Sequence, residues 1–189
     1  MWDGSRGWSP KWARPDAAGL PGRCRGARLR ARLVAAEPVP YLAHVIEPAP
    51  TEWTLRCDGG ARGNPGPGAL AYVLADPSGA EVEFRGEHLG TVTNNVAEYR
   101  ALIAGLGAAA RRGVQRLRVC MDSELVVRQM SGEYRVKNAG LKPLHAAAAR
   151  AALEFERVRY VAVPREENAR ADRLVNETLD RVLGSESPR

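Results

Sequence analysis

The chain has 189 residues, 44% of them hydrophobic, which is enough for one domain with a substantial core plus an appendage. Its formal net charge is +6 and its isoelectric point about 9.6, so a polyanionic partner is expected, although an arginine bias with only three lysines (Lys11, Lys137 and Lys142) also reflects genome composition. Three cysteines without CxxC spacing (Cys24, Cys57, Cys120) argue against a disulfide framework or a zinc site, and no apolar run reaches the roughly 18 residues of a membrane span, so a reducing, cytoplasmic setting without a membrane is expected.

Residues 1–50 show no sustained period of 2 or 3.6. They hold eight Lys+Arg against four Asp+Glu, which is +4 of the total charge. A disordered N-terminal extension is expected there, with a sequence-independent tether to phosphates as the alternative role. The folded domain is expected over 51–184, and 185–189 as a short flexible tail.

Glu52 to Cys57 alternates and predicts a strand that ends at Asp58, followed by a Gly/Pro turn from Gly59 to Gly68. Strands are predicted over 69–75 and 81–88, joined by the Asp76-Pro77-Ser78-Gly79 turn. Thr93-Asn94-Asn95 starts a helix whose apolar face carries Leu102, Ile103 and Leu106, and Gly113 closes it. A short strand over 117–121 follows, then helices over 123–130 and 141–153, a strand over 158–163 and a helix from Asn168 to about 183. The order βββαβααβα implies an α/β fold. Its five-stranded mixed sheet would combine a three-strand antiparallel meander with two parallel strands, flanked by helices on both faces.

Four acids then fall at positions suited to one site. Asp58 and Asp122 end two strands that are natural neighbours in such a sheet, and Gly59 and Gly60 leave room beside Asp58 for a substrate backbone. Glu98 shares a helix face with Asn94, and Asp172 lies in the first turn of the last helix, where the helix dipole favours a carboxylate. Clustered carboxylates repel, and divalent cations reverse the repulsion. Two such ions about 3.5–4 Å apart can activate a water and stabilise the leaving oxygen of a phosphodiester. Taken singly, Asp122 and Asp172 are better explained by capping, and Glu98 by a solvated helix face.

Four segments change those odds. Cys57–Gly68 (CDGGARGNPGPG), Thr93–Leu102 (TNNVAEYRAL), Met121–Val127 (MDSELVV) and Asn168–Asn176 (NARADRLVN) resemble, in order, the four acid-bearing motifs of the ribonuclease HI family. The resemblance covers about residues 51–183 and implies the ribonuclease H-like fold and endonucleolytic cleavage of the RNA strand of RNA–DNA hybrids, leaving 5′-phosphate and 3′-hydroxyl ends. It implies two Mg2+ ions, with Mn2+ possible, held by Asp58, Glu98, Asp122 and Asp172. Gly59, Gly60, Asn94 and Asn95 would lie along the minor groove, with Asn64 and Thr93 on a phosphate of the DNA strand and Ser123 beside the RNA strand. Asn64, Thr93 and Ser123 also have an ordinary reading, as turn and cap residues.

The chain departs from the family pattern in three places. The loop before the fourth acid, Pro164–Asn168, has no histidine, the connection Gly132–Gly140 is short and only mildly basic, and Glu124 stands where many members have Gln. The compact connection is similar to that of a subgroup in which activity on double-stranded RNA is plausible, which is one alternative; a non-catalytic nucleic-acid-binding module is the other. Some relatives of that subgroup carry a C-terminal phosphatase domain, which a chain ending at Arg189 is not expected to have. A monomer is expected.

Overall fold

The structure is a computed structural model and describes residues 52–185, so the expected extension over 1–50 and most of the expected tail lie outside the described residues. The elements are β1 (Trp53–Ala61), β2 (Gly66–Ala75), β3 (Glu81–Val92), α1 (Asn94–Arg111), β4 (Arg116–Met121), α2 (Glu124–Met130), α3 (Lys142–Ala152), β5 (Arg157–Ala162), a 3-10 turn (Arg165–Asn168) and α4 (Ala169–Ser185). The sheet runs β3-β2-β1-β4-β5. β1–β2 and β2–β3 pair antiparallel, while β1–β4 and β4–β5 pair parallel, which is the mixed sheet expected from the element order. Among the described residues no helix is long and apolar enough to cross a membrane.

Alternation sets the two faces of the sheet. Leu55 and Cys57 of β1 point one way with Leu117, Val119 and Met121 of β4, and they bury against Tyr99, Leu102 and Leu106 of α1 and Val126 of α2. On the other face Ala69, Ala71 and Val73 of β2 meet Leu174, Val175 and Leu179 of α4. α4 lies across β1, β2 and β3. On that side Arg157 and Arg159 of β5 are exposed.

The first strand differs from the sequence expectation. It does not end at Asp58: Gly59, Gly60 and Ala61 stay in the ladder opposite Leu70, Ala69 and Gly68, and only residues 62–65 turn. The glycines there serve helix packing. A Cβ on Gly59 would stand 2.2 Å from the Ala97 carbonyl carbon and 2.3 Å from the Glu98 nitrogen. Further along α1, a Cβ on Gly105 would meet the Leu55 methyls at 2.8 and 2.9 Å. α1 is therefore pressed against β1 backbone to backbone, which an Ala- and Gly-rich face permits. β3 also runs past its expected end at His88 to Val92, with a register shift where Gly68 and Ala69 of β2 face Gly90 and His88.

Gly59→Ala tests the packing. Its Cβ meets main-chain atoms that cannot swing away, so unfolding by urea should show a loss of about 3 kcal/mol or more. An unchanged midpoint would show that α1 does not need this contact.

Candidate active site

The parallel pairing of β1 and β4 puts Arg56 level with Cys120, so Asp58 and Asp122, two residues further along each strand, emerge side by side. Gly59 lets the first turn of α1 settle on β1, and Glu98 joins them from there. One carboxylate oxygen from each of Asp58, Glu98 and Asp122 lies within 4.8 Å of the others. They line a cleft of about 270 Å³ with Asn94, Arg165 and Asp172.

Asp172 stands apart from that trio. It lies in the first turn of α4, and Arg165 holds it through Nη2 at 2.5 Å and Nε at 3.2 Å. Asn176 Nδ2 donates to its other oxygen at 3.2 Å. Four acids thus share one cleft, three in mutual reach and the fourth neutralised by a guanidinium.

Burial and crowding perturb these groups. Burial first, then the charges of Asp122 and Asp172, push Asp58 up to about 7; the Gly59 amide and Arg165 pull the other way. Burial, Asp58 and Asp122 together hold Glu98 well above the usual carboxylate range. Glu98 Oε2 is buried with no hydrogen-bond partner. An all-oxygen set of carboxylates with an unpartnered buried oxygen suits a hard divalent cation, which would offset the repulsion and use the idle lone pairs.

Sequence reasoning gave Asn168 no role of its own. It is fully buried, and its Nδ2 donates to Asp122 Oδ1 at 2.8 Å and to the Cys57 carbonyl at 2.9 Å. It fixes the Asp122 carboxylate and ties it to the β1 backbone. Its sequence signals are an amide at a helix start, which looks like a cap, and its place at the head of the fourth motif. Arg165 occupies the loop that has no histidine. Of the described histidines, His145 packs edge-on against Tyr99 and His88 lies in β3, and neither lines the cleft.

The expected substrate residues divide. Gly59, Gly60 and Asn94 line the cleft. On its other side Gly59 meets α1, in the direction a Cβ would take. Asn94 Oδ1 accepts from the Ala61 amide at 2.8 Å, and Asn64 Oδ1 accepts from the Asn94 amide at 3.2 Å. The start of α1 is thus capped from a distance by Asn64. Thr93 and Ser123 hold the N-cap positions of α1 and α2, yet neither side chain makes the capping bond expected of it. Asn95 is exposed.

The sequence profile of the reverse transcriptase-like family matches residues 56–178. Ribonuclease HI of Halobacterium salinarum is 42% identical over 123 residues, 65% of this chain and 62% of that protein. The solved structure of LC11-RNase H1 in complex with an RNA/DNA hybrid is 43% identical, with a TM-score of 0.66 over 69% of this chain and 99% of that one. The chain belongs to the ribonuclease H family. A bifunctional protein of Mycobacterium tuberculosis is 47% identical over 133 residues, and this ribonuclease H family chain spans only 36% of that protein's length.

The site of this family member makes three predictions. Asp58 and Glu98 bind protons more tightly folded than unfolded, so without metal they favour the folded state at low pH, and that stability is lost as pH rises through about 4 to 7 and beyond. Thermal unfolding in EDTA should show a loss on the order of 3 kcal/mol between pH 4.5 and 8, and Asp58→Asn should flatten it. Millimolar Mg2+ should raise the melting temperature at pH 8 and have little effect at pH 4.5; equal shifts at both would disprove the cation site. Asn168→Ala should cost about 1–3 kcal/mol by urea unfolding, since Asp122 and the Cys57 carbonyl lose their buried donor.

Proposed function

We propose that this chain is a metal-dependent endoribonuclease that hydrolyses the RNA strand of RNA–DNA hybrids, leaving 5′-phosphate and 3′-hydroxyl ends. The observation that carries this reading is the meeting of three carboxylate oxygens within 4.8 Å, one of the acids having a buried oxygen with no partner. A relative 43% identical to the chain has been solved with an RNA/DNA hybrid, which supports the hybrid as substrate. A monomer in a reducing, cytoplasmic setting is the matching state, and Cys57 and Cys120 are free and buried, as that setting permits.

Asp58, Glu98 and Asp122, with Asp172 beside them, would hold two magnesium ions, manganese being the alternative. When bound, such ions supply an activated water and neutralise charge on the leaving oxygen. The chain's own residues do the rest. Asn168 keeps Asp122 turned into the cleft, and the Gly59 amide steadies the charged forms of Asp58 and Glu98. Glu98 would sit beside the 2′-hydroxyl that separates RNA from DNA.

Hydrogen-bond accounting suits the polar residues around the acids to the hybrid. Asn94 and Asn64 spend their side-chain oxygens inside the protein, which leaves each Nδ2 to donate outward. Asn94, with Asn95 and the Gly60 backbone, would donate to minor-groove acceptors. Asn64 Nδ2 and the Thr93 hydroxyl, which is not used as a cap, would hold a phosphate of the DNA strand. Ser123, equally uncommitted as a cap, would meet the RNA strand.

The test is cleavage of an end-labelled RNA–DNA hybrid with magnesium, beside Asp122→Asn and matched double-stranded RNA and DNA. Wild type should cut the RNA strand of the hybrid alone, and Asp122→Asn should lower the rate by at least 10³-fold, in line with losing a group that acts in the transition state. Equal cutting of double-stranded RNA would widen the substrate class. A wild type inert with both magnesium and manganese would leave a nucleic-acid-binding module.

A further inference from the structure

The sheet face that carries Asp58 and Asp122 continues away from the cleft as a surface of arginines. By strand alternation Arg56 of β1, Arg116 and Arg118 of β4, and Arg157 and Arg159 of β5 share that face. α4 covers it only over β1, β2 and β3. The register sets Arg116 beside Arg157 and Arg118 beside Arg159, with Arg56 level with Cys120. Adjacent strands lie about 4.8 Å apart, so two pairs of like charges stand next to each other, an arrangement that costs stability.

The protein itself offsets little of this charge. Glu52 accepts from Arg159 at 2.6 Å, and Arg56 Nε donates to the Glu167 carbonyl at 3.3 Å. Arg116 and Arg157 are exposed and have no ion pair among the described residues, and Arg118 Nε is buried without a partner. Arg56 and Arg118 flank the buried Cys120, Arg56 level with it on β1 and Arg118 two residues before it on β4, and Glu167 is the acid whose charge opposes them there. Charged side chains on an edge strand keep sheets from pairing with each other, and that accounts for β5. It does not account for Arg56 and Arg118, which lie on interior strands.

We propose that this open face of β1, β4 and β5 is a second contact surface for nucleic acid, holding the phosphate backbone of the hybrid duplex where it extends beyond the cleft. The inference rests on the hybrid being the ligand. Asp58 lies two residues beyond Arg56, and Asp122 four beyond Arg118, on the same face, so the arginines begin about 7 and 13 Å behind the acids at 3.3 Å per residue. Guanidinium groups match phosphate oxygens in bidentate geometry. Trp53 and Tyr160 pack into the core on the other side, so among the described residues of β1, β4 and β5 no aromatic side chain shares the arginine face as a platform for unstacked bases. Backbone contact to a duplex is what remains.

The test uses the full chain in EDTA and reads binding apart from hydrolysis. Fluorescence anisotropy gives the affinity for a 30-base-pair RNA–DNA hybrid across a KCl series. The variant Arg116→Ser/Arg157→Ser/Arg159→Ser changes exposed side chains only. Its control, Lys142→Ser/Arg150→Ser, removes exposed charges from α3 on the other side of the sheet. The triple variant should bind about tenfold more weakly, and its log–log salt slope should fall by about 2 to 3, at roughly 0.9 per phosphate contact. The control should stay within about twofold of wild type. A triple variant that matches the control in affinity and slope overturns the proposal. So does a loss seen with a 30-nucleotide single strand but not with the duplex. A chain that binds the hybrid through this face yet cuts nothing overturns the hydrolase reading and leaves this one standing.

Discussion

Much of the arrangement depends on a close approach between two stretches of main chain. Where Gly59 passes under Ala97 and Glu98, no atom can be added to β1. Glu98 reaches Asp58 because α1 can come down that far, and α1 comes down because its inner face is built from Ala97, Ala101, Gly105 and Ala108. Larger residues on either surface would lift the helix and carry Glu98 away from the two strand-borne acids. The parallel step from β1 to β4 supplies the rest, since it brings Asp58 level with Asp122.

The charge pattern runs in opposite senses at two scales. The chain carries +6 overall, yet its cleft concentrates acids that burial has made reluctant to ionise. Arg165 is the one guanidinium lining the cleft besides Arg62, and it is committed to Asp172. A net positive charge favours encounter with polyanions from a distance, whereas clustered carboxylates favour cations at short range.

What the sequence made legible, and what it did not, follows from how far apart the interacting residues lie. The four acids could be read because each stands in a local motif, and the strand order could be read because alternation and helical spacing are local as well. The end of β1 is not legible in the sequence, because glycine and proline normally signal a turn. Here two of those glycines remain in the ladder, Gly59 making room for α1, which starts at Asn94, and Gly60 facing Val175 of α4. Asn168 was opaque for a related reason: it holds Cys57, 111 residues away, and Asp122, 46 residues away. Thr93 and Ser123 looked like caps by type and position, but their hydroxyls make no capping bond. The arginine face did leave a trace, in the alternation of Arg116-Leu117-Arg118 and Arg157-Val158-Arg159, which hydrophobic patterning alone treats as ordinary strand.

The cleft is assembled from residues 58, 98, 122, 168 and 172, so it draws on nearly the full length of the folded region. Pairings this distant in sequence raise the contact order and form late in folding. During synthesis the strands carrying Asp58 and Asp122 emerge well before the buried amide that aims Asp122 and the helix turn that bears Asp172. A nascent chain stopped short of residue 168 lacks both the amide that aims Asp122 and the fourth acid. The geometry of the acidic site is thereby deferred until the last helix has been made.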